Sequence, residues 1–159
     1  MVISARCGRC GRVLVGGENR GIHSIRPELK DGTWTVIDEW HQKDVALDMS
    51  SAVINGDFLY GFSHYDSGRL FCLDPKTGNV LWTGPPRTGQ NVMFLSAPGL
   101  IAALVNNGEL RIFKASPKEY EQLASFRVAE DGTWAPPVLL KDGLLIKDHQ
   151  HLTKWLLKP

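Results

Sequence analysis

Residues Leu70–Trp82 read LFCLDPKTGNVLW, and this stretch decides the fold. Asp74 can accept hydrogen bonds from a turn backbone, Pro75 presets φ for the next turn position, and Gly78 tolerates the left-handed conformation. Pro75 and Gly78 also interrupt any 3.6-residue pattern, which argues against a helix. Because apolar runs rich in β-formers flank these residues, the stretch predicts a β-hairpin with Trp82 on its return strand.

The hairpin is one copy of a repeat. A glycine followed by an apolar run, a polar loop and a second apolar run occurs four times, from Gly11, Gly56, Gly99 and Gly143. These glycines are 45, 43 and 44 residues apart. A candidate strand precedes each glycine, and another follows the first three copies. Four short antiparallel strands in about 44 residues form the blade of a β-propeller. The sequence therefore predicts an all-β fold, a partial β-propeller of about three to four blades.

The repeats set the expected domain organisation. We expect an irregular or truncated N-terminus over residues 1–10 and propeller repeats over residues 11–159. The approximate blades are 11–40, 50–82, 91–128 and 134–157. The last unit ends without a fourth strand, and closed propellers have four to eight blades. The sequence is therefore expected to be a fragment, the C-terminal part of a longer ring.

Composition excludes some partners. The 159 residues carry a net charge of +1 with 22% charged side chains, so no electrostatic attraction to nucleic acid is predicted. The longest apolar run, Leu100–Val105, is too short to span a bilayer, so no membrane insertion is predicted. The opening MVISARCGRCGRV lacks the apolar segment of a signal peptide.

Four residues of the hairpin carry a family resemblance. Asp74, Thr77, Gly78 and Trp82 match the spacing Ala-x-Asp-x-x-Thr-Gly-x-x-x-Trp, with Cys72 or Leu73 near the alanine. The stretch thus resembles the repeat of the pyrrolo-quinoline quinone (PQQ)-like β-propellers. This family is also described as quinoprotein alcohol dehydrogenase-like. The resemblance implies that the tryptophan packs onto the neighbouring blade. Trp40 and Phe126 stand near the same position in blades whose motif is degenerate.

The resemblance leaves three functions open. The first is a non-catalytic binding or scaffold module of a periplasmic or secreted propeller, with the remaining blades or another protein as partner. The second is a fragment of a PQQ-dependent dehydrogenase, which would bind PQQ with calcium. Such enzymes need carboxylate and amide oxygens around the calcium ion and often a vicinal disulfide, and the sequence contains no Cys-Cys pair. The third is a self-associating interaction domain. We predict no cofactor and no catalytic residue.

Polar loops on one face of the propeller give the candidate ligand site. The segment EWHQKDVALDMSS and the adjacent GFSHYDSG bring polar side chains towards the expected central channel, and Trp134 follows another loop of the same face. The candidate residues are His41, Asp44, Asp48, Ser50, Ser51, Ser63, His64 and Trp134. The alternative is that these are solvated loop residues and turn formers, because loops are polar with or without a ligand.

Two further clusters suggest metal chemistry only weakly. Cys7 and Cys10 have the spacing of half a zinc site, but a structural zinc ion needs four ligands. The remaining cysteine, Cys72, lies within a predicted strand. His149 and His151 alternate along a strand and point to the same side, as exposed polar residues often do. We predict no metal site.

Overall fold

The computed structural model describes residues 3–7, 11–47 and 49–157, which form four antiparallel β-sheets, here called blades 1 to 4. Blade 1 consists of β1 (Ile3–Cys7), β2 (Arg12–Gly17), β3 (Gly21–Lys30) and β4 (Thr33–Gln42). Blade 2 consists of β5 (Val53–Asn55), β6 (Phe58–Ser63), β7 (Arg69–Leu73) and β8 (Val80–Thr83). Blade 3 consists of β9 (Val92–Ala97), β10 (Leu100–Val105), β11 (Glu109–Lys114) and β12 (Gln122–Arg127). Blade 4 consists of β13 (Val138–Leu140), β14 (Gly143–Lys147) and β15 (Leu152–Leu156).

In every blade, neighbours in sequence are neighbours in the sheet, so each blade is a meander of short hairpins. This arrangement is the predicted all-β partial propeller. A turn of 3-10 helix at Tyr65–Ser67 interrupts the connection between β6 and β7. Across the described ranges, no helix has the length and apolar character needed to cross a membrane.

Blade 1 begins earlier than predicted. The segment 1–10 was expected to be irregular, yet β1 lies within it and pairs with β2, from Ile3 opposite Gly16 to Cys7 opposite Arg12. Polar and charged residues in this segment interrupt the hydrophobic pattern from which a strand would be predicted. Blade 1 therefore has four strands, as blades 2 and 3 have.

The repeating glycines are not equivalent in the structure. Gly11, Gly56 and Gly99 lie in the first turn of their blades with φ of +63°, +62° and +73°. Gly143 instead lies within β14, paired with Leu140, and its α-carbon faces the Trp155 carbonyl so closely that a side chain would not fit. The fourth glycine therefore permits a close backbone approach and does not form the turn.

The hairpin after β7 has the predicted turn. The Asp74 amide donates a hydrogen bond to the Asn79 carbonyl at 2.9 Å, and the Gly78 amide donates to the Asp74 carbonyl at 2.8 Å. The Asp74 carboxylate accepts a third bond from the Lys76 amide at 2.8 Å. Gly78 has φ of +79°, so the left-handed position is where the sequence predicted it.

Trp82 fastens blade 2 to blade 3. Its indole Nε1 donates to the carbonyl oxygen of Ser116, in the loop between β11 and β12, at 2.8 Å. Its ring contacts Phe113 and Tyr120, with centroids 6.3 and 5.7 Å away. The predicted packing of this tryptophan onto the next blade is thus confirmed.

Trp40 fastens blade 1 to blade 2 in the same manner, although no Asp-x-x-Thr-Gly precedes it. Its Nε1 donates to the Pro75 carbonyl at 3.3 Å, while the nearby Gln42 side chain donates to the Gly78 carbonyl at 2.9 Å. Phe126, the residue near this position in blade 3, is 55% exposed. A tryptophan in the outer strand of the earlier blade therefore makes this contact at two of the three joins between blades.

Apolar cores fill the three joins. Strands alternate their side chains between the preceding and the following blade, which spreads the core over both faces of blades 2 and 3. Between blades 1 and 2 the buried residues are Leu14, Ile22, Val45, Leu47, Leu59, Phe71 and Leu73. Between blades 2 and 3 they are Tyr60, Phe62, Leu70, Cys72, Trp82, Val92, Ile101, Ala103, Val105 and Phe113. Between blades 3 and 4 they are Leu104, Leu110, Val128, Ala129, Leu144 and Ile146.

Blade 4 leaves its outer face uncovered. Register places Val138 and Leu145 on the side that faces away from blade 3, and Leu152 and Leu156 lie on the same side. Val138, Leu152 and Leu156 are 50%, 64% and 65% exposed. We call these four residues the blade-4 face. The edge of this sheet is β15, within the described chain.

Blade 1 has a corresponding uncovered face. Leu29, Trp34 and Val36 lie on the long hairpin of β3 and β4, on the side opposite blade 2, and all three are exposed. Val13 and Ile25, paired with each other, continue this surface and are half-buried. We call these five residues the blade-1 face.

Candidate functional site

Loops at one end of blades 1 and 2 form two adjacent clefts. The first cleft, of about 420 Å³, is lined by Asn19, Arg20, Gly21, His23, His41, Lys43 and Tyr65. The second cleft, of about 560 Å³, is lined by Met49, His64, Ser67, Arg87, Gly89 and Gln90. Their shared wall is the 3-10 turn that follows β6, because His64 lines one cleft and Tyr65 lines the other. Two of the predicted ligand residues, His41 and His64, therefore line clefts.

Histidine contacts shape the first cleft and its wall. The imidazoles of His23 and His41 stack with centroids 3.7 Å apart, and His41 Nε2 lies 3.0 Å from the Arg20 carbonyl oxygen. His64 Nε2 lies 3.1 Å from Asn19 Oδ1, which ties the loops of blades 1 and 2 together. The other ring nitrogen of His64 is buried and has no protein partner among the described residues.

Unusual backbone conformations hold the loops in place. Asn19, Ser67 and Arg87 have φ of +55°, +62° and +58°, in the region that favours glycine. The Arg20 amide donates to the Gly17 carbonyl at 3.0 Å, and the Arg87 amide donates to the Asp66 carbonyl at 3.1 Å. Residues kept in sparsely populated conformations are common at ligand sites, where the surrounding structure fixes them.

The clefts are lined by cationic and neutral groups. Among the residues that the structure describes, neither lining includes a carboxylate, while Arg20, Lys43 and Arg87 contribute three positive charges. Within residues 3–7, 11–47 and 49–157, none of these three side chains forms an ion pair. Arginines elsewhere do: Arg26 pairs with Glu39, and Arg111 pairs with Glu109. The loop face of blades 1 and 2 therefore carries cations that the described chain leaves uncompensated.

Ser50 and Ser63 do not line either cleft. Both are buried, and the Ser50 hydroxyl donates to the Asn91 side chain and accepts from the Val92 amide at 2.9 Å. Ser63 Oγ accepts from the Ala46 amide at 3.1 Å. These two hydroxyls hold Ala46 against blade 2 and Ser50 against blade 3.

The other predicted ligand residues are dispersed. Asp44 and Ser51 are exposed, and Asp48 lies outside the described residues. Trp134 is 43% exposed and lies near Gly132, on the loop between blades 3 and 4. The structure therefore brings His41 and His64 to adjacent clefts and separates them from Trp134.

Sequence reasoning missed the cations and His23. Arg20 and Arg87 occupy short loops whose length gave no sign of function, and His23 alternates with apolar residues in a strand. The one available signal was register: His23 pairs with Val15 on one side and His41 on the other, so both imidazoles must share a face.

No group of three or more His, Cys, Asp or Glu side chains in the described parts of the chain is arranged to hold a metal ion. Cys10 lies outside those parts, so the proposed half-site with Cys7 does too. His149 is 3.5 Å from the Asp131 carboxylate, and His151 is 3.6 Å from that of Asp148. These are two separate pairs on the blade 4 loops.

Cys72 is a free, fully buried thiol in β7. Burial in the core between blades 2 and 3 raises the pKa of its thiol to about 11, because the charged thiolate would lose its hydration. Burial likewise raises the pKa of the neighbouring Tyr60 hydroxyl. A thiol held in its neutral form is a poor nucleophile and a poor metal ligand, so Cys72 acts as a small core residue.

Comparisons with known proteins bear on the fold. No protein-family model matches the chain, and no curated protein matches its sequence. The computationally designed Ika4 protein is 9% identical with a TM-score of 0.63, over 99% of this chain and 89% of that one. A chain of the Mitotic Checkpoint Complex is 12% identical with a TM-score of 0.72, over 99% of this chain and 49% of that one. BamB from Moraxella catarrhalis is 13% identical with a TM-score of 0.53, over 97% of this chain and 58% of that one.

At these identities the similarity concerns the fold alone. The structural neighbours include β-propellers, and the chain is a partial β-propeller. It spans about half the length of the Mitotic Checkpoint Complex chain and 58% of the BamB chain.

Proposed function

We propose that this chain is a non-catalytic binding or scaffold module, and that its partners are further propeller blades. The observation that carries the proposal is the blade-4 face. Register makes Val138 of blade 4 the equivalent of Leu95 in blade 3. Leu95 packs on the core between blades 3 and 4, whereas Val138 is 50% exposed. The blade-4 face thus has the composition of an inter-blade join without the blade that would complete it.

The blade-1 face supplies the complementary surface. Its position on blade 1 corresponds to the side of blades 2, 3 and 4 that packs on the preceding blade. Val13 is the equivalent of Leu59 and Ile101, which are fully buried at such joins. Lys154 lies on the side of the blade-4 face, where it pairs with Asp142, and Asp38 lies on the side of the blade-1 face, so the two surfaces carry side chains of opposite charge. A blade-1 face docking on a blade-4 face would continue the existing ring.

A second copy is the partner that we expect for the isolated chain. Two chains of four blades give eight blades, which lies within the range of closed propellers. Burying exposed leucine and valine side chains stabilises such a join by roughly 25 cal/mol for each Å² of apolar surface removed from water. Repeat units whose faces require neighbours are stable only when stacked, and the same reasoning applies to additional blades on a longer chain.

Sedimentation velocity tests the proposal. The purified chain should associate or aggregate, and the double substitution Leu152→Lys, Leu156→Lys should shift it towards the 17.7 kDa monomer. Leu81→Lys is the matched control, because Leu81 is a partly exposed leucine on the outer strand of an internal blade. This control should associate as the wild type does. A monodisperse wild-type monomer with a sharp melting transition would refute the proposed docking.

A further inference from the structure

We propose that the two clefts together form one groove that binds an acidic peptide segment of a partner protein. This inference deepens the proposed binding function and places a second kind of contact at the loop end of blades 1 and 2. The first cleft borders the blade-1 face, because His23 lies two residues from Ile25 on the same side of β3. Two observations carry it: the cationic lining and the preformed loops.

The lining selects the charge of the ligand. Arg20 and Lys43 lie at the first cleft and Arg87 lies at the second, each without a carboxylate partner in the described chain. The clefts also contain three of the five histidines, His23, His41 and His64. Arginine presents a planar fork of N–H donors that matches the two oxygens of a carboxylate. A ligand with negative charge would therefore satisfy groups that the chain leaves exposed to water.

The arrangement of the clefts selects an extended ligand. Each cleft falls within the range of about 300–1,000 Å³ that is usual for ligand sites. The cations lie on both sides of the wall that His64 and Tyr65 form, so a ligand that contacts both groups must cross this wall. A peptide with several Asp or Glu residues can place one carboxylate in each cleft and cross the wall between them. Repeated carboxylates along one chain are thus the chemistry that fits.

The loops are prepared for binding before any ligand arrives. Asn19, Ser67 and Arg87 keep their left-handed conformations through backbone hydrogen bonds, including Thr88 amide to Gly68 carbonyl at 2.9 Å. A groove that needs little ordering loses less conformational entropy on binding.

Fluorescence polarisation with labelled octapeptides tests the groove. A peptide rich in Asp and Glu should bind, and its Asn and Gln counterpart of the same length should bind at least about tenfold more weakly, since charge attraction is the main contribution. Arg87→Gln and Lys43→Gln should each weaken the acidic peptide about two- to fivefold, the range for exposed ion pairs. Lys118→Gln, which removes one exposed positive charge outside the clefts, should leave the affinity unchanged.

Two results would overturn the inference: equal binding of the acidic and amide peptides, or an equal loss in Lys118→Gln and Arg87→Gln. Displacement of the peptide by inorganic phosphate at concentrations close to the peptide's dissociation constant would also overturn the inference, since a single small anion would then bind as well as the peptide. Sedimentation of Arg87→Gln separates this inference from the proposed function. If Arg87→Gln associates as the wild type does but binds the acidic peptide more weakly, the groove acts independently of blade docking. If the wild-type chain associates but binds no acidic peptide, the groove is refuted while blade docking stands.

Discussion

A Cβ placed on Gly78 would lie 2.7 Å from Cδ2 and Cε3 of Trp40, a residue of the preceding blade. Glycine is therefore required at this turn for two reasons. The left-handed conformation disfavours a side chain, and the indole of Trp40 occupies the space that a side chain would need. The sequence alone predicted only the first reason.

Gly78→Ala should consequently destabilise the fold by about 3 kcal/mol or more, since backbone strain and displacement of Trp40 add. Gly56→Ala is the matched control, because Gly56 also has positive φ but nothing lies within 4 Å of its Cβ position. It should lose only about 1–2 kcal/mol, the cost of a left-handed alanine. Urea unfolding of both variants measures the difference, and equal losses would show that Trp40 does not constrain the turn.

Trp82→Ala should cost roughly 3–5 kcal/mol, because it removes a large buried aromatic side chain from the join between blades 2 and 3. Trp82→Phe keeps a ring but lacks the indole donor to the Ser116 carbonyl, so it should lose about 1–2 kcal/mol. Phe126→Ala, at the corresponding position on blade 3, should lose less than about 1 kcal/mol, because Phe126 is largely exposed. An unchanged melting midpoint in Trp82→Ala would contradict the observed packing.

Cys72 should make the protein sensitive to alkali. Burial raises the pKa of its thiol from 9.0 to about 11, so the unfolded chain releases the thiol proton at a lower pH than the folded chain. The contribution of the neutral thiol to the free energy of unfolding is therefore complete below pH 9 and is lost progressively as the pH rises towards 11. Urea titrations at pH 8, 10 and 11 should show a shallower decline in Cys72→Ala. Equal declines in both proteins would contradict the burial effect.

The double variant Cys7→Ser, Cys10→Ser should melt within about 1 °C of the wild type, because two cysteines cannot complete a four-ligand zinc site. Thermal melts with and without a chelator, together with metal analysis of the purified chain, provide the measurement. One equivalent of tightly held zinc with unfolding on chelation would establish the zinc interpretation instead.

The dehydrogenase alternative predicts an activity that we do not expect. With PQQ, calcium and an artificial electron-accepting dye, the chain should show no turnover above a heat-killed control. Asp44→Asn and Asp48→Asn provide the comparison if turnover is found. Activity that either substitution abolishes would favour a fragment of a quinone-dependent enzyme over a binding module.

Much of the fold could be predicted because it repeats. Turn chemistry at Asp74 and Gly78 and a period of about 44 residues specify the blades without any knowledge of side-chain contacts. The equivalent strand positions Arg12, Phe58, Leu100 and Gly143 are 46, 42 and 43 residues apart, so a period of about 44 residues describes the blades even though Gly143 lies later in its hairpin than the other repeating glycines. The prediction was wrong at β1, because the residues of this strand are too polar to show the hydrophobic pattern of a strand.

The site was harder to predict, because polarity in a loop does not reveal which way a side chain points. Ser50 and Ser63 have the composition of ligand residues, yet their hydroxyls bind backbone amides inside the protein. Arg20 lines its cleft with Tyr65 of blade 2, and Arg87 lines its cleft with His64 and Ser67 from an earlier connection of the same blade. Such meetings of loops that are distant in sequence depend on tertiary packing, which the pattern of one strand does not contain.

The two indole hydrogen bonds that join blades 1 to 3 have a direction along the chain. Trp40 precedes its acceptor by 35 residues and Trp82 precedes its acceptor by 34, so a ribosome releases each donor before the carbonyl that receives it. The indole hydrogen bond that joins blade 3 to blade 4 has the opposite direction along the chain. There Trp155, in the later blade, donates to the Val128 carbonyl 27 residues earlier at 3.0 Å. During synthesis, the first two joins must therefore wait for the next hairpin to emerge, whereas the third finds its acceptor already in place.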